Sequence, residues 1–252
     1  MTFALLPLLA ACTTPPTIDG KVVDIWGEPL VGATVLMVGQ AEKPQTDHEG
    51  RYSFTFAPGT HTLKAGKDGY IQAHAEATFT EGEPPAGPLF ELYQKPAEEG
   101  FFAVGSSGYV HLKPQLVHTV GSDFDPVRGL KTMGDAKVAE SDLKVVFHSD
   151  FRYEEVLKLG LELHKLTFVE KRNVSGPLGE TEVSINLHTA EKQVEIEIAP
   201  MRSPTDYLIT VKGELEPGYY AFQTFEMLDS KDQEAFDRLP PELRNVFPFE
   251  YK

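Results

Sequence analysis

Between Ile18 and Tyr70 the chain alternates strand-forming residues with turn chemistry, and few folds tolerate that pattern. Val22, Val23 and Ile25 lead away from a turn at Asp19-Gly20, and Gly27-Glu28-Pro29 turns the chain again with proline fixing φ. Thr34-Val35-Leu36-Met37-Val38 is almost continuously apolar and predicts a central strand covered on both faces. Asp47 and Gly50 then supply a carboxylate that accepts backbone hydrogen bonds and a residue free to adopt positive φ. Tyr52, Phe54 and Phe56 alternate with Arg51, Ser53 and Thr55, so three aromatic rings share one face of a strand. Pro58-Gly59 and Lys67-Asp68-Gly69-Tyr70 make further turns, with strands expected over residues 60–65, 71–79 and 89–93.

The 21 Gly and 19 Pro of the 252 residues punctuate short segments along the whole chain, which favours a mainly β protein. Hydrophobic residues make up 41%, enough to build cores, so a disordered chain is excluded. The net charge of −15 argues against nucleic acid as a partner, because an acidic surface repels phosphate. The charge is spread: residues 1–96 hold 6 Lys and Arg against 11 Asp and Glu, and residues 97–252 hold 17 against 27.

Cys12 is the single cysteine, so neither an intramolecular disulfide nor a multi-cysteine metal site can form. Residues 3–11 are apolar but span only ~13 Å as a helix, far short of a bilayer core. Leu9-Ala10-Ala11-Cys12 resembles the lipobox of bacterial lipoproteins, although Met1-Thr2-Phe3 lacks the usual basic residues. The resemblance implies a signal peptide over 1–11, lipid attached at Cys12, and a tether over 12–17. It also implies a cell-envelope protein held on membrane lipid, and Thr13 after the cysteine resembles the outer-membrane sorting pattern.

The turns and core positions of the first third form a recognisable set. Gly20-Lys21-Val22, Gly27, Pro29-Leu30, Gly32-Ala33, Val35, Thr46-Asp47, Gly50, Tyr52, Phe54, Pro58-Gly59, Leu63 and Gly69-Tyr70 resemble the carboxypeptidase regulatory-like family. That resemblance implies a transthyretin-like β-sandwich over residues 18–94, acting as a spacer or binding module. It carries no catalytic residue across, because the matching positions set turns and core.

After a polar linker at 95–100, residues 101–252 read as a second β-rich domain with one or two short helices, and resemble no named family. Phe101–Val104 and Tyr109–Leu112 flank Gly105-Ser106-Ser107-Gly108, a hairpin loop. Leu161–Val169 alternates with one phase slip, as a bulge produces. Val183, Ile185 and Leu187, then Val194, Ile196 and Ile198, predict a hairpin turning at Thr189-Ala190-Glu191-Lys192. Residues 229–239 predict a helix capped by Ser230, with Gln233 completing a capping box, and a second turn over 242–246. Residues 150–159 fit a helix or a strand.

No catalytic motif stands out. The serine-bearing Gly105–Gly108 loop lacks the spacing of a nucleophile elbow, and there is no phosphate-binding glycine motif. The eight histidines include no HExxH and no acid partner at ligand spacing, so neither a metal nor another cofactor is expected. Trp26 and Tyr109 are the candidate ligand-binding residues, as rings on which a sugar can stack, while Tyr207, Tyr219 and Tyr220 read mainly as strand aromatics. The leading expectation is a non-catalytic envelope lipoprotein that binds protein or glycan. The rival is an envelope hydrolase, acting on glycan or peptide, with its site in residues 101–252.

Overall fold

A computed structural model describes residues 17–55, 58–80, 86–230, 232–240 and 244–252. The expected signal peptide over 1–11, Cys12 and the tether up to residue 16, Phe56 and residues 242–243 lie outside them. Among the described residues the chain is mainly β, with nineteen strands and two six-residue helices. It divides into two compact units that meet in sequence at Gln94 and Lys95.

The first unit is built from two three-stranded sheets. In one, β1 (Thr17–Asp24) lies between β3 (Arg51–Thr55), antiparallel, and β6 (Ala86–Leu92), parallel. In the other, β4 (Gly59–Gly66) pairs antiparallel with β2 (Thr34–Met37) and with β5 (Ala73–Phe79). Ile18, Val35, Leu63, Phe90 and Leu92 close the core that both sheets share. Tyr52 and Phe54 point into it as their alternation requires, with rings 5.7 Å apart, and the Tyr52 hydroxyl donates to the Pro88 carbonyl at 2.8 Å. The Tyr52 ring lies flat over Gly20, where a Cβ would sit 2.2 Å from its oxygen, so that position has room for glycine alone.

Two turns follow their sequence signals closely. Asp47 Oδ1 accepts the Glu49 and Arg51 amides, both at 2.9 Å, and Gly50 takes φ +75. A Cβ on Gly50 would approach the Val22 carbonyl oxygen to 2.5 Å. The strand over residues 34–37 needs correction. β2 is an edge strand with one buried face: Val35 and Met37 point inward, while Thr34 and Leu36 are half-exposed. Its apolar run overstates its burial because Val38, which completes the run, is 54% exposed beyond the strand end.

The second unit packs a six-stranded sheet against a five-stranded one. The first runs β12 (Lys137–Val138), β19 (Asn245–Tyr251), β18 (Gly218–Gln223), β14 (Glu162–Gly176), β15 (Gly179–Val194), with β9 (Gln115–Leu116) also on β19. The second runs β16 (Ile196–Pro200), β17 (Asp206–Val211), β13 (Lys144–His148), β7 (Gly100–Val104), β8 (Tyr109–Leu112). Phe101 is central to the shared core, 4.5 Å from Phe147, 4.5 Å from Phe247 and 5.2 Å from Phe222 between ring centroids. A separate hairpin, β10 (His118–Ser122) with β11 (Asp125–Gly129), closes a small core of its own against Val174, Ile185 and Leu187.

The expected hairpin at residues 189–192 is not there. β15 runs straight through Thr189–Lys192, paired with β14 along its length, and the chain reverses at Gly176–Gly179 instead. No residue of Thr-Ala-Glu-Lys needs positive φ, whereas Gly179 takes φ +116. The ladder has two irregularities: at Lys165/Leu166 the extra residue is Glu191 on β15, and at Val169/Lys171 β14 skips Glu170, just beyond the 161–169 span of the expected phase slip. Helix α1 (Tyr153–Lys158) settles the segment that fitted either state, and α2 (Gln233–Arg238) is shorter than expected. Its cap is Asp232, not Ser230: the Asp232 side chain accepts the Ala235 amide at 2.8 Å.

Candidate functional site

Trp26 belongs to the first unit and Tyr109 to the second. Trp26 is half-buried in the turn after β1, its amide donating to the buried Asp24 carboxylate at 2.9 Å. That carboxylate also accepts the Glu28 amide, so it serves the turn. Tyr109 is half-buried on β8, its ring edge-on to Phe102 at 6.0 Å, and Phe102 stacks on His111 at 4.5 Å. Tyr207 and Tyr220 are buried core residues. The Gly105–Gly108 segment is the expected hairpin loop, closed by the Gly105 amide on the Gly108 carbonyl at 2.9 Å.

A concavity lies on the first unit, on the outer face of β2 and β4. Strand alternation sends Val35, Leu63 and Ala65 to the core and leaves Thr34 opposite Gly66 and Leu36 opposite Lys64 on the other face. Gly66 has no side chain, so the sheet sinks there, and the turn through Lys67 and Tyr70 walls one side. The result is a groove of about 650 Å³ lined by Thr34, Gln45, Lys64, Lys67, Tyr70 and Gln72 among others. Its polar groups are hydroxyl, amide, ammonium and the Asp68 carboxylate, and its one ring is Tyr70, with Lys67 Nζ 5.8 Å from the centroid. Burial, aided by the nearby Asp24 charge, raises the Tyr70 pKa, so the phenol stays neutral at physiological pH. Neither Trp26 nor Tyr109 lines the groove, and Tyr70 entered the sequence reading only as a turn residue.

Two polar clusters occur in the second unit. Asp206 is fully buried and takes hydrogen bonds from Ser203 and from His148 Nδ1, the latter at 2.8 Å. The residue types are those of a serine hydrolase, but the wiring is not: the aspartate holds both partners, and the serine hydroxyl is spent on the carboxylate rather than on the imidazole. The arrangement fastens the ends of β13 and β17.

The other cluster brings one histidine beside two carboxylates. Glu162 and His164 stand one residue apart on β14, and on a strand that spacing places both side chains on one face. Asp229 arrives from the loop after β18, and the ligand atoms of all three lie within 4.8 Å of one another. His164 is 5% exposed, with its Nε2 3.1 Å from Glu162 and 4.0 Å from Asp229. Fully buried Gln223 sits opposite Glu162 on β18. Its amide nitrogen is 2.7 Å from Glu162, 2.8 Å from Asp229 and 3.0 Å from His164 Nε2. The Glu-x-His pair was legible in a strand register; Asp229 and Gln223 were not.

Residues 17–87 match the model of the carboxypeptidase regulatory-like domain. No curated protein matches the chain by sequence. A solved structure from Bacteroides uniformis, provisionally described as a carbohydrate binding protein, is 10% identical, covering 84% of this chain and 89% of its own at a TM-score of 0.25. A DUF3823 family protein from Parabacteroides merdae is 11% identical, covering 95% of this chain and all of its own at a TM-score of 0.23. Superpositions at these TM-scores carry no argument about fold or ligand.

Proposed function

We propose that this chain is a lipid-anchored binding protein of the bacterial cell envelope, with glycan as its ligand and outer-membrane lipid, reached through Cys12, as its support. The observation that carries the binding half is the groove on β2 and β4. It is open and lined with donors and acceptors of the kind that meet sugar hydroxyls, and it presents one neutral aromatic ring. Support for the anchor is the Leu9-Ala10-Ala11-Cys12 sequence, whose acyl chains would each contribute ~0.8 kcal/mol per buried CH₂. Trp26 and Tyr109 remain candidate sugar-stacking residues and do not line the groove.

The test is binding of the detergent-solubilised chain to an envelope-glycan array, alongside Lys64→Ala and Gln72→Ala. Both positions face outward, so folding should be retained while binding falls by about tenfold for the pair. Undiminished binding by the double variant would remove the groove from the account, and binding to no glycan would remove the ligand class.

A further inference from the structure

We propose that Glu162, His164 and Asp229 form a binding site for a divalent transition-metal ion, with Zn²⁺ the best fit. The inference does not rest on the glycan reading, because the groove and this cluster share no residue.

The charge is right. Two carboxylates and a neutral imidazole present −2 to a +2 ion, and a nitrogen ligand selects zinc over the oxygen-seeking Ca²⁺ and Mg²⁺. The spacing is right as well. Tetrahedral Zn²⁺ with bonds of about 2.0–2.1 Å separates its ligand atoms by about 3.3 Å. Here the His164 nitrogen lies 3.1 Å from Glu162 Oε2 and 4.0 Å from Asp229 Oδ2, and all three ligand atoms lie within 4.8 Å of one another, so the set closes on an ion by small side-chain movements.

The surroundings are those of a held ligand set. Gln193, directly across from His164 on β15, donates to the other Glu162 oxygen at 3.1 Å and turns Oε2 toward the cluster. Such an outer contact fixes a ligating carboxylate. Two flanking β-strands fix Glu162 and His164, and Gln223 Oε1 accepts the Leu228 amide at 2.8 Å, which brings Asp229 to its place.

Gln223 marks where the ion goes. Its amide nitrogen contacts all three ligand atoms at 2.7–3.0 Å, but a primary amide has only two N–H groups. Two N–H groups suffice for Glu162 and Asp229, while His164 Nε2 lies 3.1 Å from Glu162 Oε2 and pairs with it or with the amide according to its tautomer. A cation drawn between the two carboxylates and the imidazole replaces the contacts they make with the Gln223 amide nitrogen, while Gln223 Oε1 stays on the Leu228 amide.

Equilibrium dialysis of the full chain, stripped with EDTA in detergent, against Zn²⁺ alone and Ca²⁺ alone tests the site. The wild-type chain should take up one Zn²⁺ that Glu162→Gln, Asp229→Asn and His164→Gln each weaken by about tenfold or more, with Ca²⁺ held more weakly. Circular dichroism confirms that each variant is folded. His164 is buried, so if that variant fails to fold, Asp229→Asn decides, since Asp229 is 43% exposed and its replacement isosteric. Absence of saturable Zn²⁺ uptake overturns the proposal, as does wild-type uptake by both carboxamide variants. Ca²⁺ bound as tightly as Zn²⁺ overturns the choice of a transition metal.

Discussion

Single residues fix the geometry of the first unit through backbone contacts. The Arg51 amide, donating to its carboxylate, holds the Asp47 pKa below the ordinary 3.8; burial opposes this, and the Glu49 amide, His48 and Arg51 add to it. A carboxyl depressed in the folded state contributes stability that is present above its unfolded pKa and lost as pH falls through the folded value. Asp47→Ala should therefore lower the urea midpoint at about pH 6, and the gap to wild type should shrink below pH 3.8. A gap independent of pH would mean that the carboxylate's charge plays no part. Gly50 sits at positive φ with the Val22 carbonyl in the space a Cβ would need, so Gly50→Ala should cost about 2 kcal/mol or more in the same assay. Both residues were legible in the sequence, because Asp-x-x-Gly states its turn chemistry locally. The Tyr52 hydroxyl over Gly20 was not, since that contact depends on the register in which β1 pairs with β3.

Strands were legible where alternation and turn residues agree, and misread where one was taken without the other. Alternation alone joined residues 183–187 and 194–198 into a hairpin, although the first three face the small core under β11 and the last three face the sandwich. The same periodicity serves two cores, and no local signal says which. Thr189→Pro separates the two readings. In a strand paired along its length it removes a ladder hydrogen bond and should cost about 1–3 kcal/mol by urea unfolding, whereas a turn would accept it within about 0.5 kcal/mol. At α2 the misread cap is off by two residues, about half a turn. Asp232→Ala should destabilise by about 1 kcal/mol, and Ser230→Ala by clearly less, because only Asp232 accepts an amide of the helix. The groove escaped notice because it is a property of a sheet face. Thr34, Lys64 and Gln72 are unremarkable until β2 and β4 pair, and edge position is decided by strands far away in sequence.

At the scale of the molecule, two units each carry their own core, and the first matches a known domain over residues 17–87. The account puts a binding groove on that unit and an ion site on the other, and ties the whole to a membrane through one cysteine. No helix among the described residues is long and apolar enough to cross a bilayer, so attachment as proposed depends on the acyl chains. The most direct measurement is fractionation of a bacterial host expressing the wild-type chain or Cys12→Ser. Wild type should pellet with outer membrane and resist high salt, and Cys12→Ser should move to the soluble fraction. A Cys12→Ser chain that still pellets with the membrane would contradict the account.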